Sequence, residues 1–175
     1  MNMTDHIILV DIYDRERGCM EKAAAHRRPC LHRAFSIFLF DGDHILLQLR
    51  AAHKYHSGNL WTNSCCSHPR AGEDLLPAAS RRLREELGVC AHVSEIASFV
   101  YFHQFGEDLY EYEFDHVLLG EYNGPVVPDP DEAAEVMWVT KDSLSLNLLE
   151  HPEAYSPWFR TAAPIVLGFL GAPPD

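Results

Sequence analysis

Short apolar runs, each closed by a turn-forming cluster, divide this chain into elements. Residues 6–12 (HIILVDI) are apolar and β-branched and predict a strand; residues 14–18 predict a polar turn. Residues 22–26 start a short helix that Pro29 ends. The runs 33–40 and 44–49 flank Asp41-Gly42-Asp43, which predicts a hairpin. Residues 51–59 form a polar loop holding Lys54 and Gly58. Leu75, Leu76, Ala79, Leu83 and Leu87 recur at helical spacing, with Pro77 in the first turn and Gly88 just past the end. Strands follow over 93–103 and 110–119; in the second, Tyr110, Tyr112 and Phe114 alternate with Glu111, Glu113 and Asp115. After a Pro-rich loop over 123–131 come a short strand (136–139) and helices over 143–149 and 157–170. The last has Ser156 as N-cap, Pro157 at its first position and a kink at Pro164. The pattern predicts an α+β fold, a mixed sheet with helices on its faces, as one domain spanning 1–175.

One stretch breaks the pattern. Residues 61–73, W-T-N-S-C-C-S-H-P-R-A-G-E, crowd two thiols, an imidazole, an amide, a guanidinium and a carboxylate between apolar runs. Burying such groups is costly unless each has a partner, so this stretch predicts a binding site. Composition narrows what binds. A net charge of −12 excludes broad contact with nucleic acid or anionic membrane but permits a small anion held by a few cations or a metal. The 11 histidines favour a metal. Five cysteines, with Cys65 and Cys66 adjacent and no C-x-x-C, make a poor disulfide framework and suit a reducing cytoplasm. The N-terminus has no signal-peptide pattern, and the apolar tract 162–170 is too short to span a bilayer.

Glu111 and Glu113, two apart on a strand, share a face and repel unless a cation lies between them; a solvated strand face is the alternative. His26, His32 and His68 are candidate ligands for the same ion, and imidazoles with carboxylates suit Mn, Fe or Zn. Glu86 sits in R-R-L-R-E-E-L-G-V, where it either pairs with Arg82 at i,i+4 or holds Mg²⁺ against a phosphate-bearing ligand. Cys66, two residues before His68, is the better thiol for proton transfer, since Cys65 points the other way in an extended chain.

T-N-S-C-C-S-H-P (62–69) resembles the active-site segment of the type I isopentenyl-diphosphate isomerases, a family with the Nudix fold. E-K-A-A-A-H (21–26) with Leu31-His32, the R-R-x-R-x-E-L-G-V helix end, E-x-E-x-D (111–115) and S-P-W (156–158) agree in order, so the resemblance runs from about residue 6 to 159. It implies a Nudix-type mixed sheet between helices and an enzyme that interconverts isopentenyl and dimethylallyl diphosphate. By resemblance, His26, His32, His68, Glu111 and Glu113 are ligands of one divalent metal (Mn²⁺, Zn²⁺ or Mg²⁺). Cys66 and Glu113 are catalytic, and Tyr101 and Trp158 line the pocket beside them. Glu86 holds Mg²⁺ with the substrate diphosphate, which Lys22, Arg50, Lys54 and Arg82 bind. The implied partner is a small prenyl diphosphate, with no nucleic acid or membrane, for a cytoplasmic monomer or homodimer.

One departure separates the chain from Nudix hydrolases, whose box reads G-x5-E-x7-R-E-U-x-E-E-x-G-U. Aligned on Glu85-Glu86-Leu87-Gly88, Ser67 stands at the first Gly, Glu73 at the first Glu, and Arg82 where hydrolases keep a metal-binding Glu. That charge reversal argues against the first rival, a hydrolase of a diphosphate substrate. The second rival, a metal- or ligand-binding module, needs fewer of these residues than are present.

Overall fold

The computed structural model describes residues 6–171. Nine strands form a mixed sheet: β1 (His6–Val10), β2 (Glu16–Glu21), β3 (His32–Asp41), β4 (His44–Arg50), β5 (Trp61–Thr62), β6 (Cys65–Ser67), β7 (Ser94–Gly106), β8 (Leu109–Glu121) and β9 (Ala133–Thr140). Four helices accompany them: α1 (Lys22–Arg27), α2 (Leu75–Leu87), α3 (Lys141–Glu150) and α4 (Pro157–Gly171). The architecture is α+β, as the pattern predicts.

The long strand β3 is the hub. It runs parallel to β8, with His32 opposite Glu113 and Ser36 opposite Val117, and antiparallel to β6, with Ser36 opposite Cys66. Apolar residues on β3, β4 and β8 are buried on both faces, which explains their near-continuous apolar runs. On one face Phe35, Ile37, Leu39, Leu46, Cys65 and Leu118 pack against Ala79, Leu83 and Leu87 of α2. On the other, Phe38, Ile45, Leu47, Val117 and Leu119 pack against Trp158, Phe159, Ala162 and Val166 of α4. Cys65 and Cys66 straddle the sheet, the first in the α2 core and the second against the α4 core.

Several expectations need revision. Residues 16–21 form β2, not a turn; Asp11 confines the turn by accepting from the Tyr13 and Arg15 amides, and Asp14 takes the left-handed conformation (φ 59°). The 41–43 hairpin is real, but β3 and β4 pair only at Phe40–Ile45 and Asp41–His44. Beyond that point β6 takes over the edge of β3 and β5 that of β4, while β9 pairs along the whole opposite edge of β4. This divergence opens the sheet where residues 61–67 enter. Leu76 is 45% exposed, and Ala78 takes its place on the buried face of α2. Gly88 caps that helix in the left-handed conformation (φ 64°), as expected. The Ser156 carbonyl accepts from the Arg160 amide at the start of α4, and its hydroxyl donates to Thr62 Oγ1 across the sheet opening. Pro164 lies inside α4, which continues to Gly171.

The contrast within α2 gives a test. Leu83→Ala should cost about 2–5 kcal/mol by opening a cavity under β6, whereas Leu76→Ala should stay within about 0.5 kcal/mol of the parent. Urea unfolding of the two variants checks this; equal losses would mean the buried face of the helix is misassigned.

Candidate active site

The site begins with the inward row of β8. Burial alternates along this strand so that Glu111, Glu113 and Asp115 face the same side as Val117 and Leu119. One face of one strand is therefore apolar at the α4 end and acidic at the other. Tyr112 and Phe114, on the other face, are only partly covered. Glu113 sits between Tyr101 on β7 and His32 on β3, so three site residues form one row across three strands.

Three imidazoles converge on Glu113. Their ring centroids lie 4.9 Å (His26–His32), 5.0 Å (His32–His68) and 5.5 Å (His26–His68) apart. The α1 turn delivers His26. Glu21 caps that helix by accepting from the Ala23 and Ala24 amides, and His26 Nδ1 donates to the Lys22 carbonyl at 2.7 Å. His32 Nδ1 donates likewise to the Cys30 carbonyl at 2.8 Å. A carbonyl can only accept, so both rings carry Nδ1–H and turn a bare Nε2 lone pair inward. Both Nε2 atoms are buried and have no hydrogen-bond partner among the described residues. His68 Nε2 meets Glu113 Oε1 at 2.8 Å, and Tyr101 donates to Oε2 at 2.6 Å. One donor atom from each of His26, His32, His68 and Glu113 falls within 4.8 Å of the others. Orphaned lone pairs beside a buried carboxylate fit a divalent metal, and three nitrogens favour a transition metal over Mg²⁺.

Glu111 borders this cluster without joining it. Its Oε1 lies 3.7 Å from His26 Nε2 and 2.7 Å from His56 Nε2, and its Oε2 shares the single Tyr101 hydroxyl proton with Glu113 Oε2. The electrostatics follow from burial. Burial pushes the His26 and His68 imidazoles below their ordinary range. It pushes Glu113 upward, but the adjacent His32 and His68 imidazoles prevail and hold this carboxyl well below the usual range. Asp115 is driven well above it, by burial first and then by the Glu113 charge; Ser36 is its one hydrogen-bond donor.

A cleft opens beside the cluster, lined by Cys66, Trp158 and Glu113 together with Lys22, Arg50, Lys54 and Arg82. Burial, opposed by Arg50, pushes the Cys66 thiol up to about 12. Arg50 Nη1 donates to Cys66 Sγ at 3.8 Å, and its guanidinium stacks 5.1 Å from the Trp158 ring centre. Trp158 is fixed through Nε1, which donates to Asn63 Oδ1 at 3.1 Å. That amide is held in turn by Thr62 and by the Ile37 and Cys65 carbonyls. Glu86 is fully buried behind Arg82, whose guanidinium binds it at 2.5 Å and binds Glu85 at 2.8 Å and Glu132 at 3.0 Å. Lys54 also pairs with Glu132.

The structure thus gathers Cys66, Glu113, Trp158 and the four cations on one cleft, with Tyr101 just behind; Glu86 lies under the cleft wall. Sequence reasoning missed His56, Glu132 and Asn63. No spacing signal marks the first two. Asn63 lay within the polar stretch already flagged, though no role was assigned to it.

Metal-free protein should lose stability as pH falls. His26 and His68 have folded pKa values below 6.5, so the unfolded chain takes up protons first and stability drops below about pH 6.5. Chelator-treated protein should therefore melt lower at about pH 5.5 than at about pH 7.5, and His68→Gln should flatten that dependence. An unchanged slope in the variant would remove His68 from the cause.

Comparisons with known proteins place this geometry. A NUDIX domain model matches residues 31–161. The isopentenyl-diphosphate Delta-isomerase 2 of Aromatoleum aromaticum is 51% identical over 157 residues, covering 89% of this chain and 83% of that protein. The isopentenyl-diphosphate Delta-isomerase of Serratia proteamaculans is 45% identical over 160 residues, covering 91% and 89%. In fold the chain is similar to the crystal structure of DR0079 from Deinococcus radiodurans, with TM-score 0.75 and 20% identity over 95% of this chain and 99% of that one. It is also similar to the MutT protein of Methanosarcina mazei, with TM-score 0.62 and 18% identity over 77% and 91%.

Proposed function

The chain belongs to the isopentenyl-diphosphate Delta-isomerase family, built on a NUDIX domain, and from that premise we propose how its cleft moves a double bond. The protein is an isomerase that interconverts isopentenyl and dimethylallyl diphosphate. The observation that carries the assignment of roles is a single cleft lined by a half-buried thiol, a carboxylate beside a metal-ready histidine cluster, an indole and four cations.

The reaction adds a proton to the terminal methylene of isopentenyl diphosphate and removes one from the methylene on the other side of the tertiary carbon. The atoms balance without a co-reactant. Cys66 and Glu113 are the proton-handling pair, because they rest in complementary states: burial keeps the thiol protonated, and histidine contacts keep the carboxylate ionised. Arg50, touching the sulfur, stabilises the thiolate when Cys66 has given up its proton. Tyr101 steadies the Glu113 carboxylate from behind. Trp158 presents its ring to the developing cation, a contact of about 2 kcal/mol or more when desolvated. The Asn63 hydrogen bond keeps that ring from turning. Excluding water protects the cation from capture as an alcohol.

His26, His32, His68 and Glu113, with Glu111 at the edge, would hold one divalent metal, Mn²⁺, Zn²⁺ or Mg²⁺, which would fix the carboxylate and lower its basicity. Lys22, Arg50, Lys54 and Arg82 bind the diphosphate, so a chain of net charge −12 accepts an anion at one focused place. Glu86 would take up Mg²⁺ with that diphosphate once Arg82 turns from it to the phosphates. A prenyl diphosphate is the one partner this cleft calls for, and no helix among the described residues is long and apolar enough to cross a membrane.

Incubation with isopentenyl diphosphate, Mg²⁺ and Mn²⁺ in D₂O should place deuterium in dimethylallyl diphosphate without releasing phosphate; phosphate release without isomer would favour hydrolysis instead. Cys66→Ala should lower turnover by at least about 100-fold with metal content unchanged. Cys65→Ser should keep near-normal turnover and lose about 1–3 kcal/mol of stability from a buried hydroxyl. A dead Cys65 variant beside an active Cys66 variant would mean the wrong thiol was assigned.

A further inference from the structure

We infer that His56 is a positioning residue for Glu111, holding that carboxylate at the edge of the metal cluster from the side opposite Tyr101. The inference rests on the metal site proposed above.

His56 lies in the polar loop after β4 and is buried, at 7% exposure, although its neighbour Tyr55 is 53% exposed. The loop is built to turn it inward. The Arg50 amide donates to the Leu60 carbonyl and the Asn59 amide to the Arg50 carbonyl, so the loop is closed at its base. Ser57 (φ 52°) and Asn59 (φ 60°) take left-handed conformations just after His56. Gly58 between them comes so close to Ala52 that an added Cβ would lie 2.5 Å from the Ala52 carbonyl oxygen. Arg50 Nη2 donates to the His56 carbonyl at 3.3 Å and ties the backbone to the cleft wall.

The ring is gripped on several sides. It stacks on Phe105 at 4.2 Å and 18°, and meets Trp158 edge-on at 5.8 Å and Tyr55 edge-on at 4.4 Å. So held, it brings Nε2 within 2.7 Å of Glu111 Oε1, though off the axis of a well-formed hydrogen bond, and this buried nitrogen has no other polar partner. Oε1 is the oxygen that faces His26, and Tyr101 takes the other. Glu111 is therefore bracketed at both oxygens, and the bracket on the Oε1 side comes from a loop outside the sheet. A carboxylate held this way reaches an incoming ion already oriented, and loss of such a supporting contact typically weakens metal binding about 10–100-fold. His56 touches Trp158 as well, so the same ring couples the metal side of the cleft to its aromatic wall.

The test is competition for Mn²⁺ and for Zn²⁺ between a fluorescent chelator and wild type, His56→Ala or His56→Gln, with turnover measured alongside. His56→Ala should bind metal about 10–100-fold more weakly. Its KM for the diphosphate should not change at saturating metal, because the cations that hold the phosphates are untouched. His56→Gln, which keeps a polar group near Glu111, should recover most of the affinity. Wild-type affinity in His56→Ala would overturn the inference. So would equal losses in both variants accompanied by a lower melting temperature of the metal-free protein, which would mark a merely packed histidine. A wild-type protein with no affinity for either ion would instead sink the underlying metal site.

Discussion

Three buried carboxylates on one face of one strand are the constraint on which the rest of the site depends. Glu111, Glu113 and Asp115 occupy positions that continue, two residues at a time, into Val117 and Leu119 of the hydrophobic core. Like charges at that spacing in low dielectric cannot all stay ionised without compensation. The fold answers each differently. Asp115 is pushed toward its neutral form and bonded to Ser36. Glu113 keeps its charge through His32 and His68. Glu111 leans on Tyr101 and His56. The nitrogens that turn inward unpartnered are what a divalent cation would use. A divalent cation held there would balance these charges and add to stability as it binds.

A second cluster of acids shows the opposite solution. On α2, Glu85 and Glu86 lie where Nudix hydrolases gather metal-binding carboxylates, but Arg82 stands among them and pairs with both and with Glu132. An internal guanidinium does part of what metal ions do in the hydrolases, and the hydrolytic cluster is closed. The same substitution supplies a cation to the mouth of the cleft, where Lys54 also pairs with Glu132. In the proposed function, this one change of sign on one helix turn would remove a means of cleaving a diphosphate and add a means of holding one. Likeness to Nudix hydrolase structures at 14–18% identity is compatible with this, since it speaks to the scaffold alone.

What could be read in the sequence follows the range of the forces involved. Helix α2 was legible to the residue because its apolar period, Pro77 and Gly88 are all local signals. The hairpin turn was legible for the same reason, but not the early parting of β3 from β4, where the remote strands β6 and β5 take over the facing edges. Strand β2 was hidden because E-R-G-C-M-E has no apolar alternation; it is mostly exposed and is held by pairing with β1. Alternation on β8 fixed which residues share a face, but not which face lies inside, because acids facing a core contradict the ordinary rule. Resemblance of the T-N-S-C-C-S-H-P and E-x-E-x-D segments supplied that choice. His56 and Glu132 carry no local mark at all; each matters only through a partner more than 45 positions away.

The adjacent cysteines show how little separates a structural residue from one in the cleft. Both thiols are raised by burial, so pKa does not distinguish them. Strand geometry does: one residue of offset sends Cys65 into the α2 core and Cys66 toward the α4 side, opposite Ser36 and beside Arg50. A thiol raised to about 12 holds its proton at neutral pH but is a weak acid toward an alkene, so delivering that proton calls for a cation nearby to meet the charge left behind. In the proposed reaction Arg50 would be that cation, and its stacking on Trp158 would tie the sulfur's counter-charge to the ring assigned to the carbocation. The two charges created in such a step, negative on sulfur and positive on carbon, would meet partners that are already in contact with each other. This arrangement limits the reorganisation required when the proton moves, which is the condition under which preorganised electrostatics lower a barrier.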